Sequence, residues 1–429
     1  MSGRGAFLSS QATKATPLTV TGALLDGETV GVRCEDGLIA ALGPDVGAAP
    51  GDQTIAAAGA PLVAPLLNGH THAAMTLFRG SGGNLPLMPW LEEKIWPIEA
   101  RLSEEDVYWG ARLACAEMTR GGTTRFWDMY WHPEATARAV VDAGIKATIG
   151  APLFDHNGNA EGMRETALRS LDHLAELGPA ISPALAPHSI YTVSEDSLRW
   201  IAALGAERGV PIHIHLAETE KEVEDCLAAH GLRPAAYLDR LGALNERTVL
   251  AHGVWLDQAE LELVAERGCT VVSNPVANMK LAVGGVFPYP AARAAGVAVG
   301  LGTDGAGSND SLDLLSDLKV FALAQKHAAA DPTAISAAEA WAVATGAEAP
   351  MLGAGDPLTI GAPADFLLLH PGSAELGIGE LASNLVYAAT AASVETTVVS
   401  GEVLMRGGEV PGFEEIVSRA AEHARQLGL

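Results

Sequence analysis

The stretch Pro61-Leu62-Val63-Ala64-Pro65-Leu66-Leu67-Asn68-Gly69-His70-Thr71-His72 decides how the rest of the chain is read. Its apolar half, Pro61 to Leu67, reads as a buried strand, and a His-x-His pair stands where that strand ends. Side chains two apart on a strand point the same way, roughly 7 Å apart along the backbone, so two imidazoles can converge on one ion. Taken alone, the pair fits a metal site and a pair of hydrogen-bonded core histidines equally well. The missing ligands have to come from elsewhere in the chain.

Outward from this pair, strand-like and helix-like stretches alternate from about residue 62 to about residue 350. The strand candidates are Leu62 to Leu67, Thr124 to Met129, Ala147 to Leu153, Ile181 to Pro187, Pro211 to Leu216, Thr248 to Ala251, Thr270 to Ser273 and Val297 to Leu301. Helical patterns lie between them: one opens at Ser103 with Asp106 three residues on, as in a capping box, and closes at Gly121-Gly122. Others cover about Pro133 to Ala143, Ala160 to Leu177, Ser194 to Arg208, Ala259 to Arg267, Asp310 to Ala328 and Ile335 to Gly346. Eight such units imply an α/β fold with a parallel sheet closed into a (β/α)8 TIM-type barrel. An open doubly wound sheet would want a Gly-rich dinucleotide loop after its first strand, and none is present.

Both chain ends have a different texture. Short β-like pieces broken by Gly and Asp (Leu18 to Val20, Thr29 to Arg33, Leu38 to Leu42) return as Asp365 to Leu369, Val394 to Val399 and Glu402 to Met405. The expected organisation is residues 1–61 as the first part of a small β-sandwich, 62–350 as the barrel, and 351–429 as the second part with a C-terminal helix.

Composition narrows the function classes. With 27 Lys and Arg against 52 Asp and Glu, the net charge of −25 argues against nucleic-acid backbones and anionic membrane surfaces as partners. No apolar run approaches the ~18 residues a membrane helix needs. Met1 to Pro17 shows no secretory pattern, and Cys34, Cys115, Cys226 and Cys269 are far apart with no C-x-x-C spacing. A cytoplasmic protein with a loose leader and reduced thiols is the expectation. Homo-oligomerisation is left open.

In a barrel of this kind, chemistry sits at the C-terminal ends of the strands. Four ends carry metal-type or acid–base residues: His70 and His72; His213-Ile214-His215-Leu216-Ala217-Glu218; Ala251-His252-Gly253; and Gly302-Thr303-Asp304-Gly305. His70, His72, His215 and Asp304 make a nitrogen and oxygen shell suited to one divalent ion, zinc first, with iron or manganese also acceptable to such donors.

These four segments together resemble the amidohydrolase superfamily, and more narrowly its 5'-methylthioadenosine/S-adenosylhomocysteine deaminase branch. The narrower resemblance rests on Trp90-Leu91, Trp96-Pro97-Ile98-Glu99, Pro187-His188-Ser189-Ile190-Tyr191, Ser273-Asn274-Pro275, Asn278-Met279-Lys280-Leu281 and Ser308-Asn309, and it spans essentially the whole chain. It implies hydrolytic removal of ammonia from C6 of an adenine nucleoside. For that reaction Asp304 can take the proton of a water acidified by the metal, Glu218 can protonate N1 of the ring, and His252 can stabilise the developing charge. A plainer role for Glu218 is that of a carboxylate favoured by the start of a helix. His213 reads as a supporting residue deeper in its strand rather than a further ligand.

By resemblance, Glu99 holds the ribose hydroxyls, His188 contacts the sugar or its 5' substituent, and Trp90 packs near the base; as ordinary residues, Trp90 and Trp96 are core aromatics and Glu99 a helix charge. His156, after the third strand, is a candidate for the pocket lining. Asp310-Ser311-Leu312-Asp313 reads as the cap of the next helix and a support for Asp304. Relatives that handle S-adenosylhomocysteine carry arginines after strand 3 for its carboxylate, whereas this chain has Ala151 and Met163 there, with Arg164 one position away. That departure favours 5'-methylthioadenosine, 5'-deoxyadenosine or adenosine over S-adenosylhomocysteine. Aminodeoxyfutalosine, a free nucleobase or an s-triazine is the alternative substrate, and a catalytically silent binding protein would be expected to lose Asp304, Glu218 or His252.

Overall fold

The computed structural model describes residues 16–81, 85–156 and 158–429; the leader expected at Met1 to Pro17 lies almost entirely outside them. Strands β1 (Leu18–Leu25), β2 (Glu28–Glu35), β3 (Leu38–Gly43) and β4 (Gln53–Ala56) form a sheet in the order β3-β2-β1-β4. Two-residue Asp-Gly turns join its hairpins, and both turn residues have positive φ (Asp26 50°, Gly27 83°; Asp36 52°, Gly37 80°). That is the turn whose twist matches paired strands, and Asp-Gly is among the pairs that tolerate it best.

The apolar run Pro61 to Leu67, expected to be one strand, is two. Leu62–Val63 is strand β5, which pairs not with the barrel but with strand β14 (Phe366–Leu369) of a second antiparallel sheet. Pro65 accounts for the break, because it has no N–H to give a ladder and restricts Ala64 before it. Val20, Val32 and Ile55 meet Phe366, Leu368 and Val398 in one apolar cluster, so the two sheets face each other.

The barrel strands are β6 (Leu66–Thr71), β7 (Thr123–Met129), β8 (Lys146–Leu153), β9 (Ile181–Pro187), β10 (Ile212–Leu216), β11 (Thr248–His252), β12 (Thr270–Ser273) and β13 (Ala298–Leu301). They are hydrogen-bonded neighbours in that order, all parallel, with helices in between, which is the (β/α)8 architecture. The second sheet is completed by β15 (Val394–Val399) and β16 (Glu402–Arg406), and the helix Phe413–Leu427 ends the chain.

The seam between the first and eighth barrel strands bears on everything above it. The Asp304 N–H donates to the His70 carbonyl at 3.0 Å. The Asn68 amide donates to the Thr303 hydroxyl at 2.7 Å and accepts the Thr303 N–H at 3.1 Å. Glycine is required at 302: a Cβ there would stand 2.4 Å from Asn274 Oδ1 and 2.9 Å from the His70 carbonyl oxygen. Inside the barrel, Leu67, Trp127, Val249 and Val272 pack into an apolar plug, leaving only the strand ends for polar chemistry. Among the described residues, no helix is long and apolar enough to cross a membrane.

Replacing Asn68 with Ala removes both seam bonds and leaves the buried Thr303 N–H without its acceptor. Each unsatisfied buried group costs about 1–3 kcal/mol. Asn68→Ala should therefore lower the unfolding free energy obtained from urea denaturation by an amount in that range, and an unchanged value would show that the seam is held otherwise.

Candidate active site

Four side chains from three strand ends converge at the mouth of the barrel. His72 Nε2 lies 3.3 Å from His215 Nε2 and 3.3 Å from Asp304 Oδ1, and His70 Nε2 lies 3.4 Å from the same oxygen. Four ligands placed tetrahedrally about an ion at ~2.0–2.2 Å stand roughly 3.3–3.6 Å apart, so the spacing suits one shared cation. The protons agree. His72 Nδ1 faces the Met129 carbonyl at 2.5 Å and His215 Nδ1 faces the His188 carbonyl at 2.8 Å. A carbonyl only accepts, so both Nδ1 atoms carry hydrogen and both Nε2 atoms present lone pairs to each other. Two such lone pairs cannot bond one another. His70 Nε2 is buried with no hydrogen-bond partner, while its Nδ1 meets His213 Nε2 at 2.9 Å. His213 thus stands behind His70 and orients it, outside the ligand cluster.

Burial pulls the His70 imidazole down to about 4 and His215 well below its ordinary value, keeping both neutral and available as donors. Burial works against the charge of Asp304 as well, but the facing His70, with His72 and His252 nearby, holds its carboxyl far below the usual range. Its second oxygen accepts the Ser308 hydroxyl at 2.7 Å.

Glu218 and His252 flank the cluster, with His252 Nε2 3.9 Å from Glu218 Oε2. Burial raises the Glu218 carboxyl above the ordinary value, against the opposing pull of His252. Burial lowers His252, but Glu218 and Asp304 outweigh it and the imidazole is raised. Its Nδ1 lies 2.8 Å from Asn278 Oδ1, which fixes the ring with Nε2 toward the cavity. Ala217, His252 and Asp304 all have left-handed backbone (φ 50°, 76° and 61°), a conformation that non-glycine residues keep only where surroundings enforce it.

Above the cluster opens a cavity. Trp90 and Glu99 reach it from one segment, Leu87–Glu99, in which a π-helical turn, Leu91–Ile95, is set between two α-helical turns. Pro97, which has no N–H to donate in α register, follows that turn. Glu99 accepts the Trp131 indole N–H at 3.3 Å, and the Trp90 indole N–H is buried without a partner. His188 lines the cavity with its Nδ1 2.9 Å from the Thr192 hydroxyl.

Not every candidate arrives. His156 is exposed and outside the cavity lining. Its neighbour Asp155 is the cause: that carboxylate accepts the Ser194 N–H (2.7 Å) and the hydroxyls of Ser194 (2.7 Å) and Ser197 (2.5 Å), a turn that sends Phe154 inward and His156 out. The Asp310–Asp313 stretch caps the helix Leu314–Ala329 through Asp313, as expected, but the hydroxyl on Asp304 comes from Ser308. Arg164 points away from the cavity, donating to the Ser197 hydroxyl at 2.8 Å and lying over the Trp200 ring. The aromatic wall was not anticipated. Phe154 packs at ring-centroid distances of 5.9 Å on Trp96, 6.2 Å on Trp131 and 5.6 Å on His188, and Tyr130 lines the same space with its buried hydroxyl toward the Glu99 carboxylate. Tyr130-Trp131 and Phe154 each directly follow a strand, so the strand-end rule that singled out the histidines applies equally to them. Among the described residues lining the cavity none is Lys or Arg.

The chain is 48% identical over 377 residues, 86% of this chain and 85% of the relative, to a 5'-deoxyadenosine deaminase of Methanoregula boonei. It is 43% identical over 368 residues, 84% of this chain and 86% of the relative, to 5-methylthioadenosine/S-adenosylhomocysteine deaminase 1 of Archaeoglobus fulgidus. An adenosine deaminase of Xanthomonas campestris, solved with bound zinc, superposes with a TM-score of 0.89 at 34% identity, covering 96% of this chain and 98% of that one. Residues 62–404, which include every strand of the barrel and all four converging side chains, match the amidohydrolase family, and the chain belongs to it.

Proposed function

We propose that this chain is a metal-dependent aminohydrolase that converts a 5'-modified adenosine to the corresponding inosine analogue and ammonia, with 5'-deoxyadenosine, 5'-methylthioadenosine or adenosine favoured over S-adenosylhomocysteine. The observation that carries this reading is the placement of Glu218 and His252, 3.9 Å apart, over the His70, His72, His215 and Asp304 cluster in a cavity lined by Glu99 and His188. The names of the relatives at 43–48% identity support the substrate class.

His70, His72, His215 and Asp304 would hold a divalent cation, for which zinc is the proposed identity. Bound there, it would supply Lewis acidity toward a water. Asp304, kept ionised, is placed to take a proton from the attacking water. Glu218, whose carboxyl burial raises above its ordinary value, delivers a proton to N1 of the adenine ring as C6 becomes tetrahedral. His252, held at Nδ1 by Asn278 and favoured in its protonated form by Glu218 and Asp304, presents Nε2–H to the oxygen that gains charge. Glu99 binds the ribose hydroxyls and His188 the 5' side of the sugar, while the Trp90 indole N–H, otherwise without a partner, is free for the nucleoside.

The cationless aromatic wall sets the 5' preference. A carboxylate tail entering it meets no guanidinium and forgoes charge-assisted hydrogen bonds of about 1.5–3 kcal/mol each. The kcat/KM for 5'-deoxyadenosine or 5'-methylthioadenosine should exceed that for S-adenosylhomocysteine by about tenfold or more; a win for S-adenosylhomocysteine would defeat the preference. Glu218→Gln should keep full metal content by elemental analysis while kcat drops about 100-fold or more, the scale of a lost general acid. His215→Ala should lose the metal, and a chelator should lower the thermal midpoint of the parent but leave that of this variant unmoved, because a ligand bound only by the folded state stabilises it.

A further inference from the structure

Glu222 is a buried carboxylate, 6% exposed, that none of the steps above employs. It occupies the third position of the helix Glu220–His230, whose N-cap hydroxyl, on Thr219, accepts the Glu222 N–H at 3.2 Å. In a capping box its side chain would turn back to the N-cap N–H. Instead it crosses to the strand end: Oε1 accepts the Ala217 N–H and Oε2 the Glu218 N–H, each at 2.9 Å. The bonds land where the chain is strained, since Ala217 sits at φ 50° between the ligand His215 and Glu218. For a residue with a Cβ that region is unfavourable, so the turn persists only if held. Its other side is tied to the next strand, with the Trp255 N–H donating to the Ala217 carbonyl at 2.9 Å and the Gly253 N–H to the Leu216 carbonyl at 3.0 Å.

We infer that Glu222 is a positioning residue: by gripping the N–H groups of Ala217 and Glu218 it fixes where the Glu218 carboxyl stands, and it acts on the reaction only through Glu218. A carboxylate fits this task because both its oxygens accept, whereas an amide of equal size turns one donor toward a donor. A displacement of ~1 Å in a proton-transferring group is enough to cost orders of magnitude in rate.

The inference rests on the deaminase reading, so one readout is independent of turnover. Glu222→Gln should speed amide hydrogen exchange in the segment covering residues 216–222 at least tenfold, with metal content unchanged. It should also lower kcat for 5'-deoxyadenosine at least tenfold while KM stays within threefold. Introduced into Glu218→Gln, the same change should alter the residual rate less than twofold, because the group it positions is already gone. Glu222→Asp, with two acceptor oxygens on a shorter stem, should fall between parent and Glu222→Gln, and it carries the test if the amide variant does not fold. Unchanged exchange, a kcat within twofold of the parent, or an equal loss in the Glu218→Gln background would each overturn the assignment. If the parent does not deaminate adenosines, the functional reading fails while the exchange result still decides whether Glu222 is a clamp.

Discussion

Three imidazole nitrogens and a carboxylate oxygen within 3.3–3.4 Å of their neighbours do not stay together unaided. Their arrangement makes sense only if something positive lies among them, and the surrounding structure can be understood as the means of holding them there. Each ring is oriented from behind by its other nitrogen: His72 by the Met129 carbonyl, His215 by the His188 carbonyl, His70 by His213. The parts are mutually dependent. His188, which lines the cavity with its ring, aims a ligand with its carbonyl. The seam bond from the Asp304 N–H runs to the His70 carbonyl, so the contact that closes the barrel also sets the distance between two of the clustered residues.

Glu218, His252 and Asp304 are held in a similar way by further partners. Asn278 holds His252, Ser308 holds Asp304, and the main chain of Glu218 is bonded by Glu222. Three of the strand-end residues have left-handed backbone, and these outer bonds are what make such conformations affordable. Glycine contributes by absence at Gly302, where a methyl group would collide with Asn274 and the His70 carbonyl.

Much of this is legible in the sequence because barrel strands are short apolar runs and their ends are abrupt. His70, His72, His215, His252 and Asp304 stand out against Leu66-Leu67, Ile212, Val249-Leu250 and Val299-Gly300-Leu301. The split at Pro65 was missed because apolarity hid a change of sheet, although the proline that causes it was visible. The Leu87–Glu99 segment gave no helical pattern, since a π turn and Pro97 break the 3.6-residue period. Trp131 and Phe154 were overlooked for another reason: an aromatic residue after a strand looks like core until its neighbours show that it borders empty space. The misplacement of His156 could not be foreseen from residue type, because it follows from where Asp155 finds its three donors.

The cavity wall carries one more implication. It is bounded by carboxylates at Glu99, Glu218 and Asp304, has no Lys or Arg among its described lining residues, and belongs to a chain of net charge −25. Adenine nucleotides share the base and ribose of the proposed substrates but bring a phosphate that must give up its hydration on entry. Nothing in the wall compensates for that loss, and desolvating an unpaired charge costs several kcal/mol. Electrostatics alone therefore sets a toll on the phosphorylated pool, so that an enzyme built this way can work amid nucleotides without consuming them.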